Sequence, residues 1–377
     1  MKKIFSVIAL TLAMLFLFTA CGNGDSDEGT KSDSGSDSND KLTVNTTVYP
    51  LKSFTEQIGG KHVDVKSIYP AGTDLHTYDP SQKDIVNASK ADLFIYTGDD
   101  LDPVAKKVAD TIDNDDKKLS LQAGLDKKDL LKDEHHHDHE HGDDEHGHDH
   151  HEDADEEHNH DHHEDADEEH DHDHHEDADE EHDHEHEDGE GEEEHHHHHG
   201  LYDPHVWLDP KLDQQFAKNI KDELVEKDPD NKDYYEDNYK KLDKDLKDID
   251  KKLKDVTDGK EDSKVYISHE SIGYLADRYG FEQKGIQNMN AEDPSQKELT
   301  DIVKQIKDED AKYILFEDNV ENKVTDVIRD ETDAEPLKFY NMESLTKEQE
   351  NDDDLSFQKL MNKDIEALEK ALSGDNK

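Results

Sequence analysis

Twenty-nine histidines occur in this chain of 377 residues, and all but four lie in one tract, Glu134 to His199. The tract is almost wholly His, Asp and Glu. It holds about a third of the chain's 102 acidic residues and contains no Lys or Arg. The octapeptide HEDADEEH begins at His151, His163 and His175, a period of 12. Imidazole and carboxylate are ordinary ligands for zinc and related divalent ions. A dense, flexible array of both gathers several ions weakly, and its carboxylates raise the local cation concentration. Such a composition cannot bury a core, so the tract is expected to be disordered without metal. A zinc-level sensor or lid and a merely solubilising insertion are the other readings of it.

The remaining histidines are His62, His76, His205 and His269. His76 sits in YPAGTDLHTYDP, between a predicted strand and a predicted helix. His205 sits in DPHVWLDP, a proline-framed segment directly after the tract. His269 directly follows the strand Val265–Ser268. Taken singly, each reads as a hydrogen-bonded loop histidine. Ligands of open α/β sheets gather beyond the carboxyl ends of strands, however, and all three occupy such positions. Three imidazoles with one oxygen donor complete a tetrahedron around zinc. His62 precedes a strand, at the opposite end, and is read as structural.

Two blocks must position these residues. Strands are expected at Leu42–Val48, Val63–Ile68 and Asp92–Tyr96, with helices at Leu51–Ile58, Ser81–Ser89 and Pro103–Thr111. The second block predicts strands at Lys264–Ser268, Gln283–Ile286, Tyr313–Phe316 and Leu337–Tyr340. Its helices are Ile272–Tyr279, Ser295–Ile306, Lys323–Arg329 and one from about Leu355 to Leu372. This alternation implies parallel sheets with crossover helices. Between the blocks, Tyr235, Tyr239, Leu242, Leu246, Ile249, Leu253 and Val256 form one apolar stripe. The helix carrying it spans roughly 33 Å and acts as a stiff connector. The fold class is therefore α/β: two lobes, each a parallel sheet flanked by helices, joined by one long helix, with the His-rich tract inserted. Boundaries are set at 1–20 for a signal peptide, 21–41 for a tether, and 42–133 with 200–230 for the first lobe. The insertion is 134–199, the linking helix 231–258 and the second lobe 259–377.

A formal net charge of −58 argues against nucleic acid and against electrostatic binding to anionic lipid. Lys2 and Lys3 precede an apolar run from Ile4 to Phe18, too short to span a bilayer comfortably. Phe18-Thr19-Ala20-Cys21-Gly22 follows and looks like a bacterial lipoprotein signal, with Phe18 where Leu is usual. Cys21 is the chain's one cysteine, so no internal disulfide forms and no thiolate is left for catalysis. A lipid on Cys21 would place the protein on the outer face of a cell membrane, and this signal together with the family resemblance given next implies a Gram-positive organism.

The motifs in order resemble those of the metal-binding lipoproteins of ABC importers. Gly72-Thr73-Asp74-Leu75-His76 with Asp79-Pro80-Ser81 is similar to the first motif, His205-Val206-Trp207-Leu208-Asp209-Pro210 to the second, and Ser268-His269-Glu270 to the third. Ala291-Glu292-Asp293-Pro294-Ser295 and Phe316-Glu317 also fit, and an acidic tract before the second histidine resembles the zinc branch. The resemblance implies Zn2+ held in the cleft by His76, His205 and His269, with Glu343 of Asn341-Met342-Glu343-Ser344-Leu345 as fourth ligand. It implies an ABC permease and its ATPase as partners, a monomer, and no enzymatic activity. Many members have Pro where this chain has Leu75, a difference expected to affect loop rigidity rather than ligation. Three rival readings remain: a manganese or iron importer component of the same fold, a surface adhesin, and a zinc hydrolase using Glu270 as base. His269 argues against the first, because manganese members usually carry Glu there. The absence of HExxH argues against the last.

Overall fold

The computed structural model describes residues 41–132, 202–317 and 323–374. The signal segment, Cys21, the tether and the His-rich tract lie outside them. The first parallel sheet contains β1 (Leu42–Thr46), β2 (Val63–Ser67), β3 (Leu93–Tyr96) and β4 (Lys118–Ser120), in the order β2-β1-β3-β4. The second contains β5 (Lys264–His269), β6 (Glu282–Gln287), β7 (Tyr313–Glu317) and β8 (Glu335–Phe339), in the order β6-β5-β7-β8. Every strand pair within them is parallel. The same order recurs in both lobes, so each has a crevice where the chain switches direction across the sheet.

The helices are α1 (Tyr49–Gly59), α2 (Gln82–Lys90), α3 (Pro103–Ala109), α4 (Pro210–Lys227), α5 (Lys232–Thr257), α6 (Gly273–Tyr279), α7 (Gln296–Asp308), α8 (Lys323–Glu331) and α9 (Phe357–Ser373). Local sequence sets their ends. β1 stops two residues earlier than expected because Val48 caps α1 and Pro50 stands in its first turn. Ser81 with Asp84, and Ser295 with Glu298, form reciprocal capping boxes that start α2 and α7. Gly280, at φ 80°, ends α6 in the left-handed conformation. β4 was not foreseen: three residues between charged neighbours give no hydrophobic period to read.

The connector is α5. Tyr235, Leu242, Leu246, Ile249 and Leu253 of the expected stripe are buried, while Tyr239 and Val256 are half-buried. It packs on α1 and α4 of the first lobe and on α9 of the second. One continuous apolar core therefore runs from Val44 to Leu372 through both lobes, and a smaller one under α7 and α8 covers the other face of the second sheet. Phe54 of α1 meets Phe357 of α9 edge-on at 4.9 Å. Tyr274 of α6 donates to the Asp203 carbonyl at 2.9 Å, and Arg278 pairs with Asp209 at 2.6 Å. Among the described residues no helix is long and apolar enough to cross a membrane.

Leu246 is fully buried on the apolar stripe of the connector. Leu246→Ala should lower the unfolding free energy by about 2–5 kcal/mol, seen as a lower urea midpoint with little change in slope. A loss below about 1 kcal/mol would mean that the stripe does not carry the shared core.

Candidate metal centre

Three loops and the end of β5 bring His76, His205, His269 and Glu343 together. One ligand atom from each lies within 4.8 Å of all the others. His205 is 0% exposed, His269 1% and Glu343 4%, and the His76 side chain is 6% exposed. The imidazole centroids are 5.5 Å apart for His76 and His205, 5.1 Å for His76 and His269, and 4.8 Å for His205 and His269. Glu343 Oε1 stands 3.5 Å from His205 Nε2 and 3.7 Å from His76 Nε2. Two ligands of a tetrahedral zinc ion lie about 3.3 Å apart, given bonds of about 2.0–2.1 Å. His205 Nε2 and Glu343 Oε1 are buried and make no hydrogen bond. A buried polar atom left so is costly unless something else is meant to engage it.

The backbone aims each group. His76 lies in the loop after β2, its amide donating to Asp74 Oδ1 at 2.7 Å. His205 precedes the 3₁₀ turn Val206–Leu208, and Asp209 then caps α4 with Pro210 at its first position. Asp203 Oδ1 accepts from both the His205 amide, at 2.9 Å, and His205 Nδ1, at 2.7 Å, which turns Nε2 into the cluster. His269 ends β5, and Glu317 ends the neighbouring β7, at the crevice of the second sheet. Their side chains meet at 3.1 Å through Nδ1 and Oε2, and Ser271 Oγ donates to Glu317 Oε1 at 2.6 Å. His269 Nε2 lies 3.1 Å from the Met289 carbonyl. Both ring nitrogens of His269 thus face oxygen atoms, an arrangement that favours the imidazolium.

Glu343 is held by its second oxygen. Oε2 accepts from the Leu75 amide at 3.1 Å, leaving Oε1 toward the histidines. A proline at position 75 would lack that donor, so Leu75 bears on the carboxylate and not on loop rigidity alone. Burial works against charge on His205, His269, Glu317 and Glu343, but their pairing outweighs it. Asp203 and Glu343 raise the His205 pKa to about 10. Glu317 raises that of His269. The histidines in turn hold Glu343 and Glu317 below the usual range for glutamate, with Ser271 helping at Glu317.

The other candidates fall elsewhere. His62 packs edge-on against Tyr234 at 4.9 Å, as a structural histidine does. Glu270 is turned onto the second sheet, its carboxylate accepting from the Gly285 amide at 3.2 Å. A Cβ on Gly285 would lie 2.1 Å from Glu270 Cγ, so glycine is needed for that placement. Asp203 and the Trp207 indole bond described below escaped the sequence reading. Asp203-Pro204 before a candidate histidine was the available signal for the first.

For a group whose pKa is raised on folding, the stabilisation is complete below the unfolded value and is lost as pH rises through the folded one. His205 and His269 should therefore make the metal-free protein progressively less stable from about pH 6.5 toward 10. In chelator-treated protein, Tm should fall across that window, and Asp203→Asn should flatten the fall. An unchanged slope in Asp203→Asn would remove the pair as its cause.

Comparison with known proteins gives a consistent result. The family model "Zinc-uptake complex component A periplasmic" matches residues 44–371. The "High-affinity zinc uptake system protein ZnuA" of Bacillus subtilis is 31% identical over 382 residues, covering 99% of both chains. The "Zinc-binding lipoprotein AdcA" of Streptococcus pneumoniae is 28% identical over 374 residues. That match covers 98% of this chain but 60% of AdcA. Among solved structures, the Bacillus subtilis metal-dependent lipoprotein YcdH superposes with a TM-score of 0.60 at 26% identity, over 88% of this chain and 99% of that one. Zn(II)-bound AdcA from Streptococcus pneumoniae superposes with a TM-score of 0.62 at 23% identity, over 89% and 58%, and supports the fold. With its two like-ordered parallel sheets and its buried histidine cluster, the chain belongs to the family of zinc-uptake complex component A, binding components rather than enzymes.

Proposed function

We propose that this protein captures Zn2+ outside the cytoplasm and delivers it to an ABC permease, energised by a separate ATPase. His76, His205, His269 and Glu343 are the ligands in this reading. The observation that carries it is the convergence of buried, unbonded His205 Nε2 and Glu343 Oε1 on the same space as two further imidazoles. Family membership and the names of its relatives support zinc as the cargo. The lobes are taken as 42–133 with 200–230 and 259–377, with 231–258 linking them. Cys21 is the lipid-anchored residue, and the tract 134–199 collects zinc beside His205, where tethering makes transfer effectively intramolecular.

The chemistry is an exchange of protons for metal. Zinc needs unprotonated imidazole, yet His205 keeps its proton to about pH 10 when no metal is bound. Competition by protons therefore extends well above the pH of about 6.5 expected for a free imidazole. Asp203 stays on His205 Nδ1 and Glu317 on His269 Nδ1 after loading, fixing each ring and raising its basicity. His269 Nε2 must leave the Met289 carbonyl to reach the ion. With three neutral imidazoles and one carboxylate, the ion keeps a net charge near +1 in a dry, closed site. The shared core around α5 restricts the lobes to a small relative movement during release.

Zinc titration by calorimetry on residues 22–377 should show one tight event and several weak ones. A His76→Ala, His205→Ala, His269→Ala triple variant should lose the tight event alone. Deleting 134–199 should retain it while impairing growth only when zinc is scarce. Survival of the tight event in the triple variant, or its loss on deletion, would assign the specific site to the tract. In buffers of different ionisation enthalpy at pH 7.5, tight binding should release about one to two protons per zinc. Manganese or iron outcompeting zinc would favour the importer of another metal.

A further inference from the structure

The loop Asn341–Leu345 follows β8 of the second lobe but is bonded to the first. Tyr49 N donates to the Glu343 carbonyl at 3.2 Å, and Gly72 N donates to the Leu345 carbonyl at 2.8 Å. Ser344 Oγ donates to the Thr73 carbonyl at 2.7 Å, and Leu75 N reaches Glu343 Oε2. On the first-lobe side these ties run through backbone groups. One further tie runs through a side chain: Trp207 Nε1 donates to the Asn341 carbonyl at 2.6 Å, with Trp207 fully buried.

We propose that Trp207 is a positioning residue that fixes where the Glu343 carboxylate stands relative to His205; this rests on the reading of Glu343 as a ligand. Trp207 belongs to the 3₁₀ turn that begins beside His205, and the two rings lie 5.4 Å apart. Its indole bond therefore ties the backbone that carries one ligand to the loop that carries another. That loop needs an external hold. Met342, one residue before Glu343, has φ 60°, a left-handed conformation unfavourable for a side chain of its kind. Released, residue 342 would relax toward negative φ and swing Glu343 with it. Asn341 is fixed on one side of that residue by Trp207, and its own Oδ1 accepts from the Glu343 amide at 3.2 Å on the other. A carboxylate misplaced by about 1 Å no longer completes a tetrahedron with bonds of about 2.0–2.1 Å.

The test is a double-mutant cycle on zinc affinity, measured by competition with a chelator, using Trp207→Phe and Glu343→Gln. Trp207→Phe should weaken zinc binding about fivefold to tenfold in the wild-type background, the scale of one buried hydrogen bond. In the Glu343→Gln background it should change affinity by less than about twofold. An equal loss in both backgrounds, or no loss in either, overturns the positioning role. Glu343→Gln that leaves affinity intact by itself overturns instead the reading of Glu343 as a ligand. Should Trp207→Phe not fold, biosynthetic replacement of tryptophan by its benzothienyl analogue keeps the shape and exchanges N–H for sulfur. The chain's single tryptophan confines that change to this position. The analogue should reproduce the weakened affinity, and wild-type affinity with it would likewise overturn the proposal.

Discussion

Three carboxylates, Asp203, Glu317 and Glu343, are buried around one small volume, and among the described residues no Lys or Arg pairs with any of them. Buried charge without compensation is among the most expensive arrangements a protein can hold. Here the compensation comes from imidazoles, which are charged only when protonated. The arrangement stands while the histidines carry protons, or while a dication replaces those protons at nearly the same total charge. Much of the local structure serves that balance. Asp203 and Glu317 each hold the far nitrogen of one ring, and the Leu75 amide holds the far oxygen of Glu343. Glu343 Oε1 and the Nε2 atoms of His76 and His205 are thereby turned toward one another.

The sheets explain why four segments so distant in sequence can meet. Both lobes carry the same strand order, and both place their loops at the carboxyl ends around a switch point. His269 and Glu317 end adjacent strands, so their pairing follows from the parallel register of β5 and β7. The connector α5 shares its apolar face with both lobes, which makes the two sheets one mechanical body through a continuous core. The Glu343 loop then crosses from the second lobe and is bonded to the first, so the placement of Glu343 does not depend on the core alone.

Much of this could be read from the residues alone. Alternating apolar runs announced seven of the strands, and the spacing from Tyr235 to Val256 announced the connector. Four histidines outside the tract left few candidates, and position relative to the strands separated three from His62. What escaped were pairings between residues far apart in the chain. Glu317 lies 48 residues from His269, and no periodicity in either segment links them. The Leu75 position had seemed a matter of loop stiffness, because an amide's partner cannot be seen until the fold places Glu343 against it. β4 was too short and too charged in its surroundings to stand out.

The single tryptophan has a consequence for observing the protein. Its ring is sealed from water against the His205 imidazole. A buried indole emits at short wavelength, and a neighbouring imidazolium quenches that emission. Removing the proton from His205, by base or by an incoming ion, therefore changes the light from one known place in the molecule. The His-rich tract contains no Trp, Tyr or Phe and is dark under the same illumination. Under the proposed function, ions taken up by the tract and ions taken up by the cleft would thus be separable by colour and intensity in the intact, unlabelled chain.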